Sequence, residues 1–192
     1  MEIRKLFKFN NIHIVRNCTS GRCKHSAHAH TYHIELFLTS DKLDNGGMAV
    51  DFGILKNSVK QVIKMFDDSY SLWSREKNDY KNFVNQNYEN IFTLNFNPSA
   101  ELYSVFFYKT LKKLIENHTK FNNNEGNIKV EKVIVHETNT GYAIADENCK
   151  YLNNSTNILN YKGIEKEGYE IYLKLKNDPD FMIENEKPEQ QV

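Results

Sequence analysis

The 192-residue sequence has few cysteines, no surplus of basic residues and no long apolar run, and these three features each exclude a class of protein. Cysteine occurs only three times, whereas a disulfide-stapled domain has an even and denser set. The 25 basic and 25 acidic side chains cancel, and only four of the basic ones are arginines, so the basic surplus of a nucleic-acid-binding protein is missing. No apolar run approaches the ~20 residues of a membrane-spanning helix. We therefore expect reduced thiols and no binding to nucleic acid or membrane.

The residues that are present are typical of a folded cytoplasmic protein. Apolar side chains make up 40% of the sequence and charged side chains 26%, which is enough apolar material for a packed core. Residues 1–15 alternate between polar and apolar types, without the continuous apolar stretch and small-residue cleavage site of a signal peptide. The length favours one domain with an appendage over two full domains.

Alternating polar and apolar residues predict four strands. The predicted strands comprise residues 6–15, 28–39, 129–138 and 142–145. In the first of these strands, His13 shares a face with Phe7 and Phe9. In the second strand, the even positions from Tyr32 to Leu38 form an apolar face.

Helical spacing of apolar residues predicts two helices between the strand pairs. The first is capped by Asp51, and the second begins at an Asn-Pro-Ser-Ala-Glu segment where Asn97 or the nearby serine supplies the cap. Residues 67–96 show no clean period and are predicted to be a long loop that holds at most a short helix. A further helix is predicted at 167–176. The ββααββ order predicts an α+β fold with two helices on one face of a four-stranded antiparallel sheet.

Four of the seven histidines lie close together, around the start of the second predicted strand. Side chains two residues apart on a strand share a face, so His28 and His30 point the same way and His33 points to the other face. His13, on the adjacent strand, can supply a third ligand. Three imidazoles leave zinc a fourth coordination position, which is the arrangement of catalytic zinc sites. The alternative, from spacing alone, is that these are ordinary polar strand residues.

The neighbouring cysteines are not spaced as in a zinc finger. Cys18 and Cys23 come shortly before His28 and His30, whereas a finger needs ~12 residues between its cysteine and histidine pairs. Together with Cys149, these cysteines are therefore predicted to be reduced thiols.

Five motifs follow one another along the chain. They are FNNIH at residues 9–13, Cys23 shortly before HAHTY at 28–32, GMAVDF at 47–52, NPSAE at 97–101 and VHET at 135–138. Together they resemble the 6-pyruvoyltetrahydropterin synthase family, and most closely its bacterial branch, the 6-carboxytetrahydropterin synthases of queuosine biosynthesis. The resemblance covers roughly residues 3–145. It divides the chain into a domain of residues 1–147 and a partly helical C-terminal extension of residues 148–192.

The resemblance implies a fold, an assembly and a metal. The family has the T-fold (tunnelling fold), in which four-stranded sheets from several subunits join into a barrel. A homohexamer built as a dimer of trimers, with active sites at subunit interfaces, is therefore expected. Zinc would be bound by His13, His28 and His30, and the substrate would be a pterin triphosphate.

The resemblance also implies roles for individual residues. Cys23 would be the catalytic thiol, with Cys18 as the alternative, and zinc would make the neighbouring C–H protons of the substrate removable. Glu137 would anchor the pterin, because a carboxylate can accept hydrogen bonds from the ring N–H and the exocyclic amine side by side. Thr138 lies beside it in the sequence. Alternation supports a buried position for Glu137, which shares a face with two valines of its strand.

The sequence departs from the family at one position that matters for catalysis. The family has an Asp-His pair after the first helix, where the histidine relays a proton. Asp67 and Asp68 stand there instead. We take this pair as candidate catalytic residues, although an unperturbed aspartate pKa of ~3.9 is far from the ~6.5 that suits a relay at neutral pH.

The expected reaction is that of a zinc-dependent lyase. It converts 7,8-dihydroneopterin triphosphate to 6-carboxy-5,6,7,8-tetrahydropterin, with loss of triphosphate and acetaldehyde. Two alternatives stay open: 6-pyruvoyltetrahydropterin synthase activity on the same substrate, and a pterin-binding paralogue whose catalysis is impaired because Asp68 replaces the relay histidine.

Overall fold

The computed structural model of the protein describes residues 1–116, 124–152, 157–164 and 166–178. Residues 179–192, the end of the predicted C-terminal extension, lie outside the described part of the chain. Within that part, the strands are β1 (Glu2–His13), β2 (His28–Thr39), β3 (Ser69–Trp73), β4 (Ile91–Leu94), β5 (Lys129–His136), β6 (Tyr142–Asp146) and β7 (Ile158–Lys162). The helices are α1 (Gly21–His25), α2 (Ser58–Lys64), α3 (Asn78–Asn87), α4 (Ala100–Glu116) and α5 (Lys166–Asn177), with a 3-10 helix at Ile54–Lys56.

The strands form one mixed sheet in the order β6-β5-β2-β1-β3-β4-β7. The four strands from β6 to β1 pair antiparallel, β1 pairs parallel with β3, and β3 pairs parallel with β4. β7 then pairs antiparallel with β4 at the far edge. The prediction of an α+β fold is confirmed. The prediction of a four-stranded antiparallel sheet with two helices in ββααββ order is wrong.

The missing strands lie in the segment that was predicted to be a loop. Residues 67–96 contain β3, α3 and β4. The first four residues of β3 are all buried, because α3 covers one face through Val84 while the other face points into the core. β3 does alternate, as Ser-Tyr-Ser-Leu-Trp, but five residues are close to the shortest run that alternation can identify, and its serines are buried together with its apolar residues.

The main core lies between the sheet and three helices on one of its faces. The even positions of β2 from Tyr32 to Leu38 are at most 1% exposed, which confirms the predicted apolar face. α4 packs across this face through aromatic rings, with Tyr103 against Tyr32 at 5.3 Å and Phe107 against Phe9 at 5.7 Å between ring centroids. α2 and α5 complete the layer.

The first long helix begins later than predicted. Asp51 is not its cap, since its Oδ1 accepts a hydrogen bond from the backbone N–H of Gly53 in a tight turn that precedes the 3-10 helix. The chain enters α2 only at Ser58. Of the apolar residues whose helical spacing predicts this helix, Leu55 and Phe66 are fully buried, whereas Phe52 is 40% exposed.

The C-terminal part of the chain shares the same core. The backbone N–H of Ile158 in β7 donates to the hydroxyl of Tyr172 in α5 at 3.2 Å, and both side chains are buried. α5 crosses α2 so closely that a Cβ on Gly168 would lie 2.1 Å from the carbonyl oxygen of Gln61, so only glycine permits this crossing. The helix predicted at 167–176 is confirmed to within one residue at each end. Among the described residues, no helix has the length and apolar character needed to cross a membrane.

Candidate metal centre

Three imidazoles converge where the ladder between β1 and β2 ends. His13 and His28 are register partners, and His30 lies two residues along β2 on the same face. One ligand nitrogen from each lies within 4.8 Å of the other two. The ring centroids of His13 and His28 are 4.6 Å apart, and those of His28 and His30 are 5.0 Å apart. The structure thus brings together the three histidines that the sequence predicts as metal ligands.

Backbone carbonyls orient two of the rings. The Nδ1–H of His13 donates to the carbonyl oxygen of Pro98 at 2.5 Å, and the Nδ1–H of His28 donates to that of Ser26 at 2.9 Å. A carbonyl oxygen only accepts, so the proton of each neutral ring is on Nδ1 and the lone pair is on Nε2. Metal-bound histidines are commonly fixed in this way through the nitrogen that does not bind the metal.

Burial favours the neutral, metal-binding form of two of the imidazoles, those of His13 and His30. The side chain of His13 is fully buried, and this burial lowers its pKa to about 4. Burial also lowers the pKa of His30, although the carboxylate of Glu137 acts in the opposite direction. Metal binding requires deprotonated imidazole nitrogens, so a metal needs to displace no proton from His13 at neutral pH.

The lowered pKa of His13 predicts a pH dependence of stability in metal-free protein. Between pH 6.5 and about 4 the unfolded chain takes up a proton at this residue and the folded chain does not, so stability is full above pH 6.5 and falls as the pH drops. The expected loss is roughly 3 kcal/mol between pH 7 and pH 4. Chemical denaturation of wild type and His13→Gln at both pH values measures this contribution together with the smaller change that the substitution causes at the neighbouring His28 and His30. Equal pH dependence in the two proteins contradicts the assignment.

Glu137 faces the histidine cluster. Its Oε1 lies 3.5 Å from Nε2 of His13 and 3.8 Å from Nε2 of His30. Because Nε2 of His13 carries a lone pair, two acceptor atoms point at each other with no proton of the ring between them. A cation between them would relieve this repulsion.

The donor set fits zinc. Three imidazoles are typical zinc ligands in sites that keep a fourth position open, with Zn–N distances of about 2.0–2.1 Å. The three ligand nitrogens lie within 4.8 Å of one another, and Oε1 of Glu137 lies beside them, at 3.5 Å from His13 and 3.8 Å from His30. The residues that are present therefore suit a zinc ion held by His13, His28 and His30, with Glu137 beside it.

Tyr32 is a member of the site that the sequence analysis treated only as part of the apolar face. Its buried hydroxyl donates to Oε1 of Glu137 at 3.2 Å and lies 3.2 Å from Nδ1 of His13. Burial raises the pKa of Tyr32 well above its ordinary value, so the hydroxyl stays a donor. The sequence feature that could have identified Tyr32 as a site residue is its position, two residues after His30 on the same face of β2.

The segment that precedes α4 holds the site in place. The predicted cap Asn97 does not cap the helix; its side chain binds both the N–H and the carbonyl of Arg16, just after β1. Pro98 provides the carbonyl for His13, and Ser99 caps α4 by accepting from the backbone N–H of Leu102. One short segment thus links the end of β1, the His13 ring and the start of α4.

The two candidate thiols lie on either side of the start of α1. Cys23 belongs to this short helix, is half-buried, and its carbonyl accepts from the backbone N–H of Val15 at 3.1 Å. Besides burial, the charge of Arg22 contributes to the lowered pKa of His30, so α1 lies beside the histidine cluster. The thiol of Cys18 instead donates to the carbonyl of Ser20 at 3.3 Å.

Asp67 and Asp68 are not brought to the histidine cluster within one chain. Asp67 Oδ1 accepts from the backbone N–H of Asn10 at 2.7 Å, and Asp68 Oδ1 accepts from the side chain of Asn10 at 3.5 Å. That side chain also accepts from Thr31 across the ladder, on the sheet face opposite His13. Asp68 has a positive φ of 50°, as expected for a tight turn into β3.

The two residues that flank Glu137 in the sequence, Thr138 and His136, have structural contacts of their own. The hydroxyl oxygen of Thr138 accepts from the backbone N–H of Gly141 at 2.9 Å and so stabilises the turn between β5 and β6. His136 lies on the opposite sheet face, where its Nε2 is 2.5 Å from Glu35. His33 is the register partner of His136, so it too points away from the metal cluster, as the alternation predicts.

Comparison with solved structures defines the fold class. The structure resembles an uncharacterized protein from Wolinella succinogenes with a TM-score of 0.61 and 16% sequence identity, over 77% of this chain and 98% of that one. It also resembles the 6-pyruvoyl tetrahydropterin synthase of Caenorhabditis elegans, with a TM-score of 0.52 and 17% identity, over 76% of this chain and 94% of that one. By fold, the chain is a T-fold protein.

Sequence comparisons then define the family. The family model described as 6-pyruvoyl tetrahydropterin synthase matches residues 2–148. A Helicobacter pylori protein named 6-carboxy-5,6,7,8-tetrahydropterin synthase is 39% identical over 143 residues, or 74% of this chain and 71% of the relative. An Aquifex aeolicus protein of the same name is 34% identical over 161 residues, covering 74% of this chain and 95% of the relative. The chain belongs to the 6-pyruvoyl tetrahydropterin synthase family.

Proposed function

We propose that this protein is a zinc-dependent 6-carboxy-5,6,7,8-tetrahydropterin synthase that acts in the cytoplasm on the route to queuosine. It converts 7,8-dihydroneopterin triphosphate, with loss of triphosphate and acetaldehyde. The observation that carries the proposal is the convergence of three imidazoles with a carboxylate on one sheet face. The names of the Helicobacter and Aquifex relatives support the choice of product.

His13, His28 and His30 are the residues that would hold the metal. Zinc at this position supplies Lewis-acid polarisation of the oxygens on the substrate side chain. The protein contributes the orientation of the rings, since Pro98 and Ser26 fix the tautomers of His13 and His28.

Glu137 would bind the pterin ring and hold it against the cluster. Its carboxylate has a second oxygen besides the one that accepts from Tyr32, so both oxygens together can accept from the ring N–H and exocyclic amine of a pterin. Tyr32 fixes the side-chain orientation from the buried side. Thr138 would support the same edge through the turn that it stabilises.

Cys23 would accept or donate the proton at the substrate side chain. It is the half-buried thiol of α1, and its neighbour Arg22 is near enough to His30 to influence that ring, so α1 brings this thiol to the side of the histidine cluster. The hydrogen bond of Cys18 to Ser20 favours Cys23 over Cys18 for this role.

A site shared between subunits would account for Asp67 and Asp68. Within one chain these carboxylates contact Asn10 on the other sheet face, so a role in proton transfer requires a second copy of the chain. A homohexamer built as a dimer of trimers, with active sites at subunit interfaces, is the assembly we propose.

A pterin-binding protein with impaired turnover is the second candidate function. The sequence feature that favours it is Asp68 at the position of the relay histidine, because loss of a general acid or base typically lowers a rate by ~10²–10⁴-fold. In that case Asp68→His raises the rate sharply.

Anaerobic incubation of zinc-loaded protein with 7,8-dihydroneopterin triphosphate, followed by separation of the pterins by mass, tests the proposal. We expect 6-carboxytetrahydropterin from wild type and from Cys18→Ala, and little or none from Cys23→Ala. Formation of 6-pyruvoyltetrahydropterin would replace the proposal by the related activity. Unchanged substrate with zinc-loaded wild type would contradict both activities and favour the binding protein.

A further inference from the structure

A basic cavity lies beyond the histidine cluster, at the end of the ladder between β1 and β3. Its volume is about 580 Å³. The charged and aromatic side chains that line it include Arg16, Lys24, Trp73, Arg75, Glu76 and Lys77. The function proposed above assigns no role to any of these side chains.

The cavity carries a net positive charge. The charge of the Glu76 carboxylate is neutralised, because the carboxylate accepts a hydrogen bond from Nε of Arg16 at 2.5 Å. The Glu76 side chain is only 7% exposed. Arg16 also donates to the backbone carbonyl of Lys24 at 2.7 Å, so this ion pair forms a fixed wall that joins the loop after β1 to α1. Three lining cations are then left without a carboxylate partner among the residues that the structure describes: Lys24, Arg75 and Lys77.

These cations suit a phosphate chain. The guanidinium of Arg75 lies 5.9 Å from the centroid of the Trp73 ring, and this contact limits its conformations while leaving its N–H groups available. Arginine binds phosphate oxygens in a bidentate fashion, and lysine binds them as a point charge. A small monoanion would leave two of the three positive charges uncompensated, so a polyanion is the better match.

The cavity lies within reach of a molecule bound at the histidines. His13 pairs with Ser71, and Trp73 follows two residues along β3, a rise of roughly 7 Å. On the other side, Lys24 precedes His28 by four residues and belongs to α1. A substrate whose reacting carbons lie at the cluster can therefore extend a charged tail into the cavity.

We propose that this cavity binds the triphosphate group of the substrate and retains it as the leaving group. The inference rests on the proposed function, in which the C–O bond to the triphosphate breaks and the electron pair of that bond leaves with it. Positive charges that are already in place where negative charge develops stabilise the leaving group without reorganisation.

Calorimetric titration with inorganic triphosphate tests the cavity independently of turnover. The test variant is Arg75→Gln/Lys77→Gln, and a matched control is Lys60→Gln/Lys150→Gln, which removes the same charge from exposed positions outside the cavity. We expect triphosphate binding to zinc-loaded protein to weaken roughly 10-fold in the test variant and to stay unchanged in the control. Lys24→Gln, which removes a charge from the other wall of the cavity, should also weaken triphosphate binding. Zinc content is measured after each titration, because triphosphate also chelates metal ions.

Binding of 7,8-dihydroneopterin, which lacks the triphosphate, should be equal in all these proteins. Equal triphosphate binding by wild type, the test variant and the control would overturn the inference. An unchanged KM of the test variant for 7,8-dihydroneopterin triphosphate would overturn it as well, while the formation of product would leave the proposed function standing. Cavity-dependent triphosphate binding without any pterin product would instead contradict the proposed function and leave the polyanion site standing.

Discussion

A His28→Gln variant is expected to lose zinc binding while keeping its fold. His28 supplies one of three converging nitrogens, and its ring lies at the half-exposed end of the cluster, so its replacement leaves the core intact. Substitutions of residues that only orient a ligand already cost 10–100-fold in metal affinity, so the loss of a ligand should exceed about 100-fold. Elemental analysis after dialysis against a weak chelator measures it, and pterin turnover should fall with the zinc content.

His33→Gln is the matched control for this prediction. His33 lies on the same strand but on the opposite face, paired with His136 rather than with the metal cluster. It should retain one zinc per chain. Equal zinc retention by the His28 and His33 variants would contradict the assignment of the cluster as the metal site.

Glu137→Gln is expected to weaken substrate binding without removing zinc. Glutamine has the same shape but presents an amide donor to the donor groups of the pterin, and it lacks the charge that strengthens hydrogen bonds to a carboxylate. Hydrogen bonds to charged groups are worth about 1.5–3 kcal/mol, so KM should rise roughly 10- to 100-fold. Three imidazoles still hold the metal, so the zinc content should stay at one per chain.

Glu131→Gln provides the comparison for Glu137. Glu131 lies on β5, the strand that ends one residue before Glu137, and is exposed, so its replacement should change neither KM nor the zinc content. An unchanged KM in the Glu137 variant would show that this carboxylate does not bind the pterin. Loss of zinc from the Glu137 variant alone would instead show that the carboxylate is needed to hold the metal.

The parts of the site that lie on amphipathic strands could be predicted from sequence. One buried face on each of β1 and β2 fixes which side chains point together, so alternation alone puts His28 and His30 on the face of His13. The same alternation put Glu137 on the face of Val133 and Val135, but its side chain is 31% exposed rather than buried as predicted. Strand alternation gives direction but not register between strands, so the pairing of His13 with His28 needed the structure.

Other parts depend on tertiary contacts that leave no local pattern. β3 and β4 are only five and four residues long, so neither shows a sustained period of two like that of β2. Asn97 is a residue type that often caps helices, yet its side-chain amide binds the backbone of Arg16, 81 residues away in sequence. A side chain that serves a distant segment cannot be told from a cap by its neighbours alone.

Asp67 and Asp68 show a third limit of prediction from sequence, which concerns the sheet face that a turn residue contacts. The resemblance to the family places Asp67 and Asp68 after the first helix as candidate catalytic residues, but the sequence carries no information on which sheet face receives them in the turn before β3. Within one chain both carboxylates accept hydrogen bonds from Asn10, in the turn that leads from α2 to the sheet. The catalytic role that we propose for them therefore depends on the assembly rather than on the fold of one chain.

The central claim is that the three-histidine site makes this protein a zinc-dependent pterin synthase. The rate of consumption of 7,8-dihydroneopterin triphosphate, measured against the zinc content of the protein, tests this claim most directly. We predict a rate near zero for metal-free protein that rises in proportion to bound zinc and stops rising at one zinc per chain. A full rate in protein without zinc, or no turnover at one zinc per chain, would contradict the account.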